Sequence, residues 1–553
     1  MGNVNSYLWP DAGVPGIVVK TSLGSIRGKT IPIDDNRKVH AFLGIPYAQP
    51  PINELRFQKP VPVEAWDNVK DCTKFGPRAI QADMVWDRFI VPVGKSEDCL
   101  HLNVFVPEWE SETQRPVLVF VHGGGFTIHS TANYGDKGIC RQVSLPPVKL
   151  KSDVFRNICR HDVIVVTIQY RLGLLGFLST GDKNCPGNLG LWDQTMAIKW
   201  VKENIDSFGG NPDTITVFGQ SAGAAGADLL SISPHSRDLF NKVILMGGNA
   251  ECDWAIVKPE SSTKVAESIA TKNGWKCSND VSSDERNKSL IEFLRWLPTQ
   301  HLETGLWGCS GFNRKEKGLK FCPVIDGEFL PDAIHVLREQ SPKKTCMVGT
   351  AEYEALLFVA LGKPQCNLVS IDKMLSATLP RDDHELMTQA RQLYLSSKDL
   401  TCKTSVARSF VSLFSDLMMN NGTQEYCREM TTAGHDVYLY SFDYHNDSAF
   451  GFLSYRMPFK AATHCYDLRF LFGKGFFSKF SPDSDDLRMI DIMTSYWTCF
   501  AKNGNPNGGD PGQIWQQISA NDTYRYLSIS LRPQFKFDYH GRRAEFWKTV
   551  ALA

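Results

Sequence analysis

The chain has 553 residues, of which 42% are hydrophobic and 22% charged. Lys+Arg and Asp+Glu balance at 60 each, so no basic excess points to a nucleic-acid partner or to an anionic membrane face. No apolar run reaches the roughly 18 residues that a membrane helix needs.

The chain opens Met1-Gly-Asn-Val-Asn-Ser6, without the charged and apolar stretches of a secretory leader. Gly2 and Ser6 fit the myristoylation pattern. A single myristoyl chain gives only marginal membrane affinity, K of roughly 10⁴ M⁻¹. The first basic residue is Lys20 and the first cysteine Cys72, so no second anchoring signal lies near. The expectation is a cytoplasmic protein with at most weak, reversible membrane association, residues 1–15 forming a flexible extension. Against this, the 15 cysteines are many for a reducing compartment, and their number is odd. Their spacings show no zinc-type C-x-x-C pair, and neither metal nor cofactor is expected.

Short strands and turns fill the first ninety residues, for example Gly16-Ile-Val-Val-Lys20. Ser96-Glu-Asp-Cys-Leu-His-Leu-Asn-Val-Phe-Val106 ends as an alternating strand. Pro116-Val-Leu-Val-Phe-Val121 is continuously apolar, as in a strand buried on both faces. It runs into His122-Gly-Gly-Gly-Phe126, a loop whose backbone N–H groups can face a ligand and so form an oxyanion hole. Asp162-Val-Ile-Val-Val-Thr-Ile-Gln-Tyr170 is a further buried strand, and Leu189 to Glu203 has helical spacing.

The most telling stretch is Thr214-Ile-Thr-Val-Phe-Gly-Gln-Ser221-Ala-Gly-Ala-Ala-Gly226. A buried strand turns sharply into a small-faced helix, with Ser221 in a G-x-S-x-G pattern. That context makes a nucleophile elbow, which lifts a hydroxyl to the positive end of the helix. The plainer alternative is a glycine-rich turn with a capping serine.

Beyond it, Lys242 to Gly247 reads as a strand. Residues 255–340 read as a helical insertion above the sheet. Lys343 to Gly349 returns to strand, and Val437-Tyr-Leu-Tyr-Ser-Phe442 is the last convincing one. Leu487 to Lys502 is an amphipathic helix with Ser484 or Asp485 as its cap. The alternation of strands and helices predicts an α/β fold with a mostly parallel sheet covered on both faces, and residues 1–553 form one domain.

Six segments in order then match a family: Phe42-Leu-Gly-Ile-Pro-Tyr-Ala, Ser96-Glu-Asp-Cys-Leu-His-Leu-Asn, His122-Gly-Gly-Gly-Phe, Gln169-Tyr-Arg-Leu-Gly, Asn211-Pro-Asp and Gly219-Gln-Ser-Ala-Gly. They resemble the type-B carboxylesterases, the α/β-hydrolases that include the cholinesterases, from about residue 15 to 545. The resemblance implies a Ser–acid–His triad in that chain order. Spacing alone leaves Glu352 and Glu354 open as the acid; the family pattern selects Glu354, followed here by Ala355 where glycine is usual. His445 and His464 both lie on loops beyond the last strands, and the family's histidine segment selects His464. By the same carry-over the oxyanion donors are the N–H groups of Gly124, Gly125 and Ala222. Cys72 and Cys99 match a pair that the family joins by a disulfide. Arg56 with Glu97 and Arg171 with Asp193 look like its structural ion pairs.

Cholinesterases carry a glutamate before the nucleophile, whereas Gln220 stands here. A neutral amide offers less to a cationic alcohol. Trp86 and Phe89 both lie near the expected place of the choline-stacking tryptophan. Gln220, Trp86 and Phe89 are therefore the substrate-binding expectations, and the resemblance implies a serine esterase for neutral, fairly apolar small-molecule esters. Two other readings stay open: an acyltransferase with the same triad, and a non-catalytic adhesion protein on this fold.

Overall fold

A computed structural model describes residues 14–32, 36–84, 91, 93–135, 158–278, 280–306, 319–381, 383–473, 480–508 and 514–552. Gly2 and the rest of residues 1–13, together with Trp86 and Phe89, lie outside the described residues.

The strands are β1 (Val14–Thr21), β2 (Gly24–Pro32), β3 (Lys38–Pro46), β4 (Lys70–Asp71), β5 (His101–Pro107), β6 (Arg115–Val121), β7 (Ile164–Ile168), β8 (Gly210–Gln220), β9 (Lys242–Met246), β10 (Thr345–Ala351), β11 (Asp436–Phe442), β12 (Tyr526–Ile529) and β13 (Gln534–Lys536). They form one sheet in the order β1-β2-β3-β5-β7-β6-β8-β9-β10-β11-β12-β13, with β4 beside β2. From β7 to β12 every pairing is parallel; towards both ends the strands along this order pair antiparallel, and the short β4 pairs with β2 in parallel.

The continuous apolar runs have their reason here. Val117, Val119 and Val121 of β6 join one core with Val217, Leu245 and Val348, on one face of the sheet. Leu118 and Phe120 join a second core with Phe218, Ile244, Met246 and Met347, on the other face. Successive side chains point to opposite faces, so a strand covered on both sides has no polar alternation to show. The first core is completed by residues of helices Leu189–Asn204 and Ala222–Ile232, the second by Met489, Met493, Trp497 and Phe500 of helix Ser484–Asn503.

Three expectations need correcting. Val437–Phe442 is not the last strand. Tyr526-Leu-Ser-Ile529 pairs with β11 and is followed by β13, but at four residues it is too short to display a period. The long helix begins at Ser484, and its cap is Asp483, whose side chain accepts from the N–H groups of Asp485 and Asp486 while Asp486 reaches back. This is a capping box with aspartate in both roles. Finally, five α-helices and a π-helical turn, Asp416–Asn420, fill the segment from Leu356 to Thr432, for which no element was expected. Residues 255–340 are helical as read, with Pro259–Lys272, Ser283–Trp296 and Ile334–Glu339 and no strand among the described residues.

Several arginines buried in this core are paired with carboxylates. Arg56 meets Glu97 at 2.5 and 2.7 Å, and Arg171 meets Asp193 at 2.7 and 2.8 Å. Arg338, 1% exposed, donates to Asp228 on the helix that follows Ser221, and to Glu251 and Glu429. Removing one partner of a buried pair leaves the other charge uncompensated. Arg338→Leu is therefore expected to lower stability by about 3–5 kcal/mol, measured as a fall in the urea midpoint at unchanged slope. A loss under about 1 kcal/mol would mean that Asp228 finds other partners or a proton at little cost.

Candidate active site

The carboxyl ends of β6, β8, β10 and β11 lie at one edge of the parallel sheet, where ligands of open α/β sheets bind. Each strand there hands its chain to a loop with one piece of chemistry.

β8 ends at Gln220, and Ser221 takes φ 58°, ψ −128° before helix Ala222–Ile232 begins. A non-glycine residue in that region is strained and is held only by its surroundings. Here its N–H donates to Met246 O at 2.8 Å, and its carbonyl accepts from Ala224 and Ala225. The flanking glycines are demanded by space: a Cβ on Gly219 would sit 2.2 Å from Gly223 O, and one on Gly223 would sit 2.1 Å from Val121 O. The turn therefore packs onto the end of β6, which brings Ser221 to the glycine loop.

That loop starts at His122, fully buried, stacked on Tyr170 at 4.5 Å and bonded through Nδ1 to Gly123 O at 2.9 Å. Burial pushes its imidazole down to about 3, so it is neutral. Gly124 and Gly125 have φ of +108° and +60°. The Gly124 carbonyl turns back to accept from Thr127 and Ile128, and Thr127 Oγ1 donates to Gly125 O. The N–H groups of Gly124, Gly125 and Ala222 donate to no backbone acceptor among the described residues. The first is thus a loop donor, the second lies beside Leu306 and Leu319, and the third is an orphan donor of a helix N-terminus.

After β10, Glu354 is 2% exposed; its Oε1 accepts from Ala351 N at 2.7 Å and its Oε2 lies 2.5 Å from His464 Nδ1. His464, on the loop after β11, is 5% exposed. Burial opposes its charge, but the acidic groups beside it, Cys465 and Glu354, outweigh burial and raise its pKa well above the ordinary imidazole range. The other two residues left open by spacing lie elsewhere. Glu352 is not bonded to the imidazole; burial, then Asp443, push its carboxyl up to about 7. His445 sits 3.3 Å from Asp447 on a half-exposed turn.

Gln220 differs from its expected place. It is 2% exposed, its amide nitrogen lies 3.1 Å from His464 Nε2, and its Oε1 accepts from Cys465 Sγ at 3.2 Å. The side chain faces the imidazole rather than open space. Cys72 and Cys99 are both free and buried, so the disulfide that the resemblance implies is not formed. Burial pushes the Cys72 thiol up to about 12 and raises that of Cys99 as well.

Two neighbours escaped the sequence reading. Cys465 has φ +65° and closes the contact chain to Gln220. Asp467 is buried three residues after His464, and burial, then Glu354, push its carboxyl up to about 7. Their only sequence signal is proximity to His464.

The family profile described as Carboxylesterase family matches residues 15–547. Esterase cest-33 of Caenorhabditis elegans is 37% identical over 565 aligned positions, covering 100% of this chain and 96% of the relative. The medium-chain fatty acyl-CoA hydrolase precursor of Anas platyrhynchos is 30% identical, covering 96% and 91%. Juvenile hormone esterase of Tribolium castaneum is 32% identical, covering 90% and 84%. A profile match over nearly the whole chain, on a sheet of this topology, means that the protein belongs to the carboxylesterase family of α/β-hydrolases and is a carboxylesterase.

Proposed function

We propose that the protein hydrolyses neutral, apolar esters through an acyl-enzyme on Ser221, with His464 as base, Glu354 as its orienting acid and the N–H groups of Gly124, Gly125 and Ala222 as oxyanion donors. The observation that carries the reading is the 2.5 Å contact of Glu354 with His464 Nδ1, beside a serine held at φ 58°. With Nδ1–H donated to Glu354, the imidazole presents Nε2 as the basic nitrogen. Ser221 Oγ attacks the ester carbonyl while His464 takes its proton. The negative oxygen of the tetrahedral intermediate meets the N–H groups of Gly124, Gly125 and Ala222. The proton then passes from His464 to the departing alcohol, and water, activated by the same nitrogen, releases the acid.

In the resting geometry Nε2 is already engaged by the Gln220 amide. Proton transfer from Ser221 therefore requires the imidazole to exchange that contact for the hydroxyl, a tightening expected when substrate arrives.

The preference for neutral, apolar esters rests on side chains around these groups. Leu306 and Leu319 border Gly125, Phe358 lies 5.1 Å from the His464 ring, and Gln220 carries no charge. The fatty-acyl and juvenile-hormone substrates in the relatives' names agree with this chemistry. Across p-nitrophenyl esters from acetate to decanoate, kcat/KM should rise with chain length and exceed that for choline esters. A preference for the choline ester would overturn the substrate reading.

An activated serine should also react with a fluorophosphonate. Intact protein treated with such a probe is expected to gain one adduct, on the peptide containing Ser221, and to lose activity in step. Folded protein with no adduct there would overturn the acyl-enzyme.

A further inference from the structure

Three consecutive peptides of the loop after β6 are each held by their carbonyl. His122 O accepts from the Tyr170 hydroxyl at 2.6 Å, and Gly123 O accepts from His122 Nδ1 at 2.9 Å. Gly124 O accepts from the N–H groups of Thr127 and Ile128 at 3.1 and 3.0 Å. In a planar trans peptide the carbonyl and the N–H that follows it point in opposite directions. A bond that fixes Gly123 O from one side therefore aims the N–H of Gly124 to the other, and the bonds on Gly124 O do the same for Gly125. The second clamp is made by backbone, whereas no backbone N–H among the described residues donates to Gly123 O. The Gly124 donor thus takes its aim from a side chain, His122.

The ring of His122 is placed for that bond alone. It is fully buried and stacked on Tyr170, whose own hydroxyl is used on the His122 carbonyl. A carbonyl only accepts, so Nδ1 carries the proton. Nε2, buried and without a hydrogen-bond partner, keeps its lone pair. A second proton there would bury a charge away from water, so the ring stays neutral. The peptide it holds packs directly on the nucleophile. A Cβ on Gly123 would sit 2.5 Å from Gln220 O and 3.1 Å from Ser221 Cβ. A tilt of this peptide would therefore move the Gly124 N–H relative to Ser221.

We propose that His122 is a positioning residue of the oxyanion hole: its Nδ1–H, bonded to Gly123 O, sets the direction of the Gly124 N–H. It acts through the backbone and exchanges no proton during turnover. The assignment rests on the reading of Gly124 as an oxyanion donor.

Three full-length variants test it. His122→Phe keeps a ring on Tyr170 and removes the donor, and His122→Met removes it with a flexible side chain. His122→Asn puts an amide N–H where Nδ1–H stood. Fluorophosphonate labelling to completion counts the competent serines, so kcat is expressed per labelled Ser221 and misfolded protein drops out. In the Phe and Met variants kcat should fall roughly 10- to 100-fold, up to the loss of a whole oxyanion donor, with KM changed less than about threefold. Affinity for a trifluoromethyl ketone, whose adduct with Ser221 carries a negative oxygen at these donors, should fall by the same factor. His122→Asn should recover most of both. Since His122 is neutral, the acid limb of kcat/KM should stay in place in all three. The proposal is overturned by a folded donor-free variant with kcat within about threefold of the unsubstituted protein, by equal losses in His122→Asn and His122→Phe, by a fall in kcat without one in ketone affinity, or by a moved acid limb, which would mean that the change reached His464. Failure of both donor-free variants to fold also overturns it, since His122 would then hold the core rather than the peptide. An unlabelled Ser221 in the unsubstituted protein sinks the acyl-enzyme reading; full labelling with unchanged turnover in the variants sinks this one alone.

Discussion

His464→Ala is expected to lower ester turnover by up to ~10⁶, the loss seen when the members of a triad act as one unit. The imidazole lies against Glu354 at 2.5 Å through Nδ1, and its second nitrogen meets Gln220, the residue before Ser221. Without it, Ser221 keeps its strained turn and its neighbouring N–H groups but loses the proposed base. Residual activity should then come from binding and oxyanion stabilisation alone. His445→Ala should keep most activity, because His445 pairs with Asp447 on a turn away from Glu354. Initial rates with a p-nitrophenyl ester separate the two variants. Loss in His445→Ala with activity kept in His464→Ala would place the base on the other loop.

How much of this was legible beforehand depended on whether a feature is local. Ser221 announces itself, because the strand, the tight turn and the small-faced helix are contiguous and the glycines answer to clashes within the same segment. The glycine loop is legible for the same reason: a buried strand runs directly into it. The acid and base are not, since their partnership spans 110 positions and is made by β10 and β11 lying side by side. Only the family resemblance could choose Glu354 over its neighbour two residues away. The contact of Gln220 with His464 is equally non-local, which is why Gln220 read as a substrate-facing residue. The missed strands β12 and β13 are short edge pieces whose register comes from β11.

Glu354→Gln tests the other end of the triad, and its expected effect is a fall in kcat of about 10⁴. The amide keeps the shape of the side chain and can still accept from Ala351 N, so the loop should hold. What changes is the imidazole. A carboxylate can only accept, so it fixes the proton on Nδ1 and leaves Nε2 basic. An amide can instead donate to Nδ1, which puts the proton on Nε2, the wrong nitrogen for Ser221. The pH profile supplies an independent sign. As the proposed base, His464 must be neutral to act, so kcat/KM is expected to rise with pH as its proton leaves. Burial favours that departure, while Cys465 and Glu354 oppose it and raise the pKa. Deleting the Glu354 charge removes one of the opposing influences. The acid limb of the residual activity should therefore move to lower pH, not higher. Glu352→Gln, beside Asp443 rather than His464, should leave both the rate and the limb nearly in place. A tenfold or smaller loss in Glu354→Gln together with an unmoved acid limb would mean that His464 takes its orientation from elsewhere, with buried Asp467 the first group to replace next.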